Sequence, residues 1–376
     1  MDVVITGIGL KSCLGNLEQT WLNILQGQSG IQIRQPFPQL AAYPLGLIAP
    51  QPAEISQLTT NILEDTLNNA GLNYSLEECG VVIGSSRSCQ GIWEQLTPLK
   101  ASSIFNNAEF AWLETLPHQP ANIVAQALQT LAPVLAPMAA CATGIWALFR
   151  GYELIRTGRC QRVIAGAVET PITPLTIAAF NQMGALSHQG CYPFDRKRSG
   201  LVLAEGGAMF ILETAELAAS RQAPVYGRIG GFGLTCDAHH ISSPKVVNGS
   251  AAIAIKQSLD HSGLGTRDID FIHAHGTSTL LNDRHEAQLI QRLFPQGIAV
   301  SSTKGATGHT LGASGAIGAA LTLMAMHQGY LPTCIGLQEK EFDLNIVTQA
   351  QEVEINHAMC FSFGFGGQNA VVTLSK

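Results

Sequence analysis

The segment Ala139-Ala140-Cys141-Ala142-Thr143-Gly144 sets one cysteine between an uncharged run and the start of an amphipathic helix. Upstream, Leu131 to Met138 has the composition of a buried strand. Downstream, Ile145, Leu148, Phe149, Tyr152 and Ile155 recur at helical spacing until Gly158. Cys141 is therefore expected on a strand-to-helix elbow. At such a position unpaired N–H groups and the helix dipole favour an anion, which stabilises a thiolate and offers amides to a developing oxyanion. A free cysteine is ordinarily a small buried hydrophobe, so its partners decide the matter. Two histidines are candidates: His275 in Ala274-His275-Gly276-Thr277-Ser278-Thr279, and His309 in the run from Ser302 through Lys304 to Gly312. Each follows a strand pattern and sits in a Gly/Thr/Ser loop. One such histidine is usually structural; two, beside a candidate nucleophile, point to a site. The set suits acyl transfer followed by carbanion chemistry. The thiolate accepts an acyl group, and neutral imidazoles hold the enolate left when a neighbouring carboxylate departs as CO₂.

Positioning these residues requires buried strands alternating with helices. Val3 to Gly7, Val81 to Gly84, Val163 to Gly166 and Ala208 to Leu212 read as strands, with a helix around Leu17 to Gln26. Beyond Pro224 the pattern restarts with Val225 to Gly231, a helix over Ala251 to Ser262, and strands at Ile269 to His273 and Ile298 to Ser301. The simplest reading is an α/β chain of two halves, 1–222 carrying the cysteine and 223–376 carrying both histidines. Pro36 to Gln51 and Leu96 to Pro120 lack periodicity and are expected to cover the core. Trp93, Phe105, Phe110 and Trp112 are expected to be packing residues.

Composition narrows the function classes. With 46% hydrophobic and 13% charged residues in 376, the chain is globular, and a net charge of −6 argues against bulk nucleic-acid binding. Nine cysteines without a CxxC pair or a His/Cys cluster argue against a zinc site and a disulfide framework, and fit a reducing, cytoplasmic setting. No signal peptide is expected from the opening Met1 to Gly7. Leu131 to Phe149 is long enough to span a bilayer, but Pro133, Pro137 and Gly144 break it, so no membrane span is expected. Basic clusters at Arg150 to Arg162 and Arg196 to Arg198 would suit an acidic partner.

With these motifs in order, the chain resembles an elongating β-ketoacyl-acyl carrier protein synthase of the thiolase-like superfamily. The resemblance covers nearly the whole sequence. It rests on the opening Val3 to Gly9, Trp21 with Gly27 to Ile31, the Cys141 segment, Pro193-Phe194-Asp195 with Glu205-Gly206, both histidine segments, and the closing Ser362 to Gly367. It implies a five-layer αβαβα sandwich, normally a homodimer, with acyl carrier protein as partner and acyl and malonyl thioesters as substrates. It implies no metal or organic cofactor, since phosphopantetheine arrives on the carrier. Cys141 would accept the acyl group, with its own N–H and that of Phe365 as oxyanion hole. His275 and His309 would hold the enolate and Lys304 would orient them. Thr277 and Thr279 would contact phosphopantetheine, Phe365 would gate the acyl pocket, and Arg198 is the first choice for carrier-protein docking.

The departures are specific. The family usually carries a glutamate, paired with the lysine, where this chain has Gly318. Glu286 or Asp283 would then serve as the anion for Lys304, Glu286 being preferred. His273 stands where asparagine is common, Gln368 replaces a threonine, Ser199 an aspartate, and residues 31 to 125 are shorter than usual. Two other readings exist. A thiolase would want a second cysteine where Phe365 stands. A non-catalytic partner such as a chain-length factor would ordinarily lack Cys141.

Overall fold

The computed structural model describes residues 2–97, 112–245 and 249–376. The strands that frame the site are β1 (Val3–Ser12), β2 (Gly80–Gly84), β3 (Val134–Leu135), β4 (Arg162–Glu169), β5 (Gly206–Thr214), β6 (Gly227–Cys236), β7 (Phe271–His273), β8 (Ala299–Ser301), β9 (Asn345–Ile346), β10 (His357–Gly364) and β11 (Gln368–Ser375). The helices that frame it are α1 (Ile55–Ala70), α2 (Gln119–Leu128), α3 (Thr143–Arg156), α4 (Pro174–Gln182), α5 (Ser250–Ser262), α6 (Leu280–Leu293), the single turn α7 (Lys304–Thr307) and α8 (Ser314–Gln328), and further helices include the expected one at Leu17–Leu25.

The two halves repeat one pairing pattern. In the first, β1 pairs antiparallel with β5, β5 antiparallel with β4, and β4-β2-β3 run parallel. In the second, β6 pairs antiparallel with β11, β11 antiparallel with β10, and β10-β7-β8-β9 run parallel. The sheets join where Val4 and Ile5 meet Arg228 and Gly227. Helices α1 and α2 cover the outer face of the first sheet and α5 that of the second, while α3 and α8 pack against each other between the sheets. This is the expected five-layer arrangement.

The central layer follows from sequence. Helix α8 is buried from Ser314 to Met326, and a helix apolar on all sides is stable only when enclosed. Small residues let it approach α3: a Cβ at Gly144 would stand 3.0 Å from that of Ala316. Fully buried side chains such as Ile62, Phe210 and Leu321 contribute roughly 1.5–3 kcal/mol each. Among the described residues no helix is long and apolar enough to cross a membrane.

Two expectations fail here. Leu131 to Met138 is not a buried strand: only Val134–Leu135 pairs, at the sheet edge, with Leu131 86% and Met138 71% exposed. Its apolar composition reflects a surface edge. Trp112 is exposed rather than packed, as is Trp93, whose indole N–H donates to Thr115 Oγ1 at 3.0 Å. Phe105 and Phe110 lie outside the described residues.

Candidate active site

The elbow is tightly held. Ala140 takes φ +47°, a left-handed conformation that costs a non-glycine residue on the order of 1–3 kcal/mol and persists only where its surroundings impose it. Here Thr143 Oγ1 donates to the Ala140 carbonyl at 2.6 Å and accepts the Ala139 N–H at 2.8 Å, while Ser362 Oγ donates to the Cys141 carbonyl at 2.8 Å. Cys141 is buried, and burial pushes its thiol up to about 11. The Lys304 charge, the Phe365 N–H bonded to the sulfur, and the Arg87 charge pull the other way. The resting group is a thiol, whereas the elbow alone suggested a thiolate. Desolvation outweighs the amides and charges around it.

Both histidines reach this sulfur. Cys141 Sγ and one ring nitrogen each of His275 and His309 lie within 4.8 Å of one another, and the two imidazoles pack edge to face at 5.3 Å. Burial and the Lys304 charge hold both rings well below the usual histidine range, so both are neutral. Backbone pairing fixes His309, whose N–H donates to the Val202 carbonyl at 2.7 Å and whose carbonyl accepts the Ala204 N–H at 3.1 Å. Glu286 on α6 fixes His275. Its carboxylate accepts the His275 and Gly276 N–H groups at 2.6 and 2.7 Å, and Lys304 Nζ donates to the His275 carbonyl. Lys304 and Glu286 thus hold the same peptide segment, one at its carbonyl and the other at its N–H groups. The direct ion pair expected between them is absent among the described residues, although Glu286 remains the largest charge favouring the ammonium form of Lys304. Burial raises Glu286 to about 7.

Two cavities meet at Cys141. One, of about 340 Å³, runs from exposed Leu280 and Leu281 past Thr277, Thr279 and His285 to the sulfur. The other, of about 360 Å³, lies on the side of Arg87, Met138 and Leu311. Phe365 borders both, stacked on Phe180 of α4 with centroids 6.0 Å apart. The Thr277 and Thr279 hydroxyls bond each other at 2.8 Å.

Residues 49–218 match the family model for the N-terminal domain of beta-ketoacyl synthase, and residues 226–338 that for its C-terminal domain. The chain belongs to the beta-ketoacyl synthase family. Among family relatives, 3-oxoacyl-[acyl-carrier-protein] synthase 2 of Synechocystis is 32% identical, and that of Staphylococcus aureus 31% identical; each alignment covers 100% of this chain and 98% of the relative. Among solved structures, a beta-ketoacyl synthase from Burkholderia phymatum matches with a TM-score of 0.90 at 27% identity. A chain of a type II PKS acyl-carrier protein in complex with its ketosynthase, bound to the hexaketide, matches with a TM-score of 0.91 at 26% identity. Both matches cover 100% of this chain and 99% of the other.

Within this beta-ketoacyl synthase family member, two of the departures, Gly318 and His273, form one unit. A Cβ on Gly318 would stand 2.9 Å from His273 Cε1 and 3.0 Å from both His273 Nδ1 and Cys360 Sγ. The imidazole of His273 fills the space beside Gly318. Burial and the Lys304 charge lower that ring to about 3, and its Nε2 lies 3.0 Å from Thr303 Oγ1, next in the chain to Lys304. A neutral ring therefore stands where the resemblance implied a carboxylate.

Arg198 is corrected. Its side chain is wholly buried and bonded to Glu341, to the carbonyls of Asp195 and Leu280, and, at 3.6 Å, to Asp283. It cannot meet a docking partner on the surface. Asp283 belongs to the same scaffold, accepting the Phe194 and Ser278 N–H groups at 2.8 and 3.1 Å rather than serving Lys304. Arg162 is likewise engaged, with Glu213 at 2.7 Å. Sequence reading missed Phe180, Ser362 and Glu169. The last is fully buried and accepts from Ser85, Ser86, Arg87 and Gly312. A carboxylate ending a buried strand was its only signal.

Proposed function

We propose that the chain condenses a Cys141-bound acyl group with a malonyl-acyl carrier protein thioester, with loss of CO₂. The observation that carries this is the meeting of one buried thiol with two neutral imidazoles, gripped through Lys304 and Glu286, where two cavities join. In loading, the Cys141 sulfur bonds the acyl carbon, the carrier sulfur leaves, and the thiol proton passes to it. The Cys141 and Phe365 N–H groups receive the oxyanion. The malonyl thioester then enters through the 340 Å³ cavity, its arm against Thr277 and Thr279. The His275 and His309 N–H groups hold its carbonyl as the carboxylate leaves as CO₂. The enolate carbon attacks the acyl carbon, and the expelled Cys141 thiolate takes up a proton. Losing one such donor raises the barrier by about 3 kcal/mol. Phe365, bordering both cavities, separates the two substrates.

No metal or organic cofactor is needed, and the buried Lys304 ammonium beside the site opposes a bound cation. An acidic carrier protein is the proposed partner, with exposed Lys197, near Ser199 at the cavity lining, replacing Arg198 as docking residue. The exposed edge at β3 is the proposed contact with a second copy, and nine free cysteines suit a cytoplasmic setting. The chain-length-factor reading is not favoured, because the nucleophile and both histidines are present and assembled. Incubation with acyl-carrier protein thioesters followed by intact mass tests the proposal. A mass gain of one acyl group, absent in Cys141→Ala, is expected; no gain, or one that survives that substitution, overturns it.

A further inference from the structure

The cavity on the far side of Phe365 from the Thr277 and Thr279 entry is not a plain hydrocarbon pocket. Beside Met138, Leu311 and Phe180 it is bordered by Ser86, Arg87 and Gln368. Arg87 lines this cavity, and its backbone N–H donates to Glu169 at 2.9 Å, so that carboxylate bonds the Arg87 main chain rather than its guanidinium. That guanidinium forms no ion pair among the described residues, and its Nε is buried with no hydrogen-bond partner among them. Its charge is felt at the Cys141 sulfur. A desolvated guanidinium donor without an acceptor is unfavourable, and a saturated alkyl chain would worsen it. An oxygen on the acyl chain would satisfy it, a carboxylate best of all through the planar fork of donors.

We propose that Arg87 is a specificity-determining residue, and that the acyl group Cys141 carries bears a keto or carboxylate oxygen that Arg87 receives. This rests on the reading of Cys141 as acyl acceptor, and it narrows the substrate class from acyl thioesters in general to oxygenated ones. Loading itself is a balanced exchange: the sulfur–carbon bond to Cys141 forms, that to the donor thiol breaks, and the thiol proton moves to the donor.

The test compares loading rates, by intact mass, of hexanoyl-, 3-oxohexanoyl- and adipoyl-pantetheine on the whole chain, with Arg87→Met and Arg87→Lys alongside. At least one oxygenated thioester should load about tenfold faster than hexanoyl or better, the range set by one charge-assisted hydrogen bond. Arg87→Met should abolish or reverse the preference, and Arg87→Lys should retain part of it. Preference for adipoyl identifies a carboxylate as the ligand, and preference for 3-oxohexanoyl a ketone. Hexanoyl loading at least as fast as both overturns the inference on the wild type alone, whatever the variants do, as does a preference that Arg87→Met leaves intact. Failure of all three to load would instead count against Cys141 as acyl acceptor.

Discussion

Gly318 and His273 should behave as one coupled unit. In Gly318→Ala the new methyl would stand 2.9–3.0 Å from His273 Cε1 and Nδ1 and from Cys360 Sγ, closer than side-chain carbons settle. Helix α8 is buried at this point, so the ring must move, and its 3.0 Å contact with Thr303 Oγ1 is the bond at risk. Overpacking of this kind costs about 1–3 kcal/mol and a weakened buried hydrogen bond about 1 kcal/mol. The better helix propensity of alanine returns about 0.5–1 kcal/mol. The net expectation is a loss of about 1–3 kcal/mol, a drop in Tm of a few degrees at this size. Because Thr303 precedes Lys304, malonyl decarboxylation should slow as well. Replacing His273 by the smaller asparagine removes the obstruction, so Gly318→Ala/His273→Asn should be more stable than the two single losses predict, by about 1 kcal/mol or more. Thermal melts of the four proteins, with CO₂ release from malonyl-acyl carrier protein, complete the cycle. Strictly additive losses, or a Gly318→Ala protein with wild-type Tm and CO₂ release, would refute the packing argument.

Three further outcomes are expected. With its thiol raised to about 11, Cys141 should be alkylated by iodoacetamide about tenfold faster for each pH unit between 7 and 9; mass spectrometry of the Cys141 peptide reads this, and a plateau near pH 8 contradicts it. Glu286 has a folded-state value of about 7 and grips the loop as a carboxylate, so CO₂ release should fall as pH drops through 7. Glu286→Gln should be slower and lose that limb; a limb kept unchanged would assign it elsewhere. Arg198→Met leaves the buried Asp283 carboxylate without its cation and should lower stability by roughly 3–5 kcal/mol. A protein that keeps its Tm but binds carrier protein weakly would restore Arg198 as a docking residue.

Much of the site was legible because its residues announce themselves locally. Cys141, His275 and His309 each sit in a short Gly/Thr/Ser/Ala segment at the end of an apolar run, and such segments have few conformations open to them. The repeated strand-helix alternation likewise forecasts two α/β halves, whereas their five-layer stacking was expected from the family resemblance and helix α8 between the sheets was not read from the sequence. Features that depend on distant partners were not legible. Arg198 reads as one of three adjacent cations, and only the fold, by bringing Glu341 and Asp283 to it, makes it a buried strut. Leu131 to Met138 is apolar whether it lies inside or at an edge. Glu286 was expected as the paired anion of Lys304; that the two instead hold the His275 segment, one at its N–H groups and the other at its carbonyl, depends on loop geometry that spacing does not encode.

The central claim is that Cys141, His275 and His309 form one decarboxylative condensing centre. A single-turnover reaction of acyl-loaded protein with malonyl-acyl carrier protein, scoring CO₂ and β-ketoacyl product together, tests it most directly. One CO₂ and one β-ketoacyl thioester per loaded Cys141 are predicted, both falling about 100-fold or more in His275→Ala and in His309→Ala. Condensation that proceeds unchanged in either histidine variant, or CO₂ release from the wild type with no β-ketoacyl product, would contradict it.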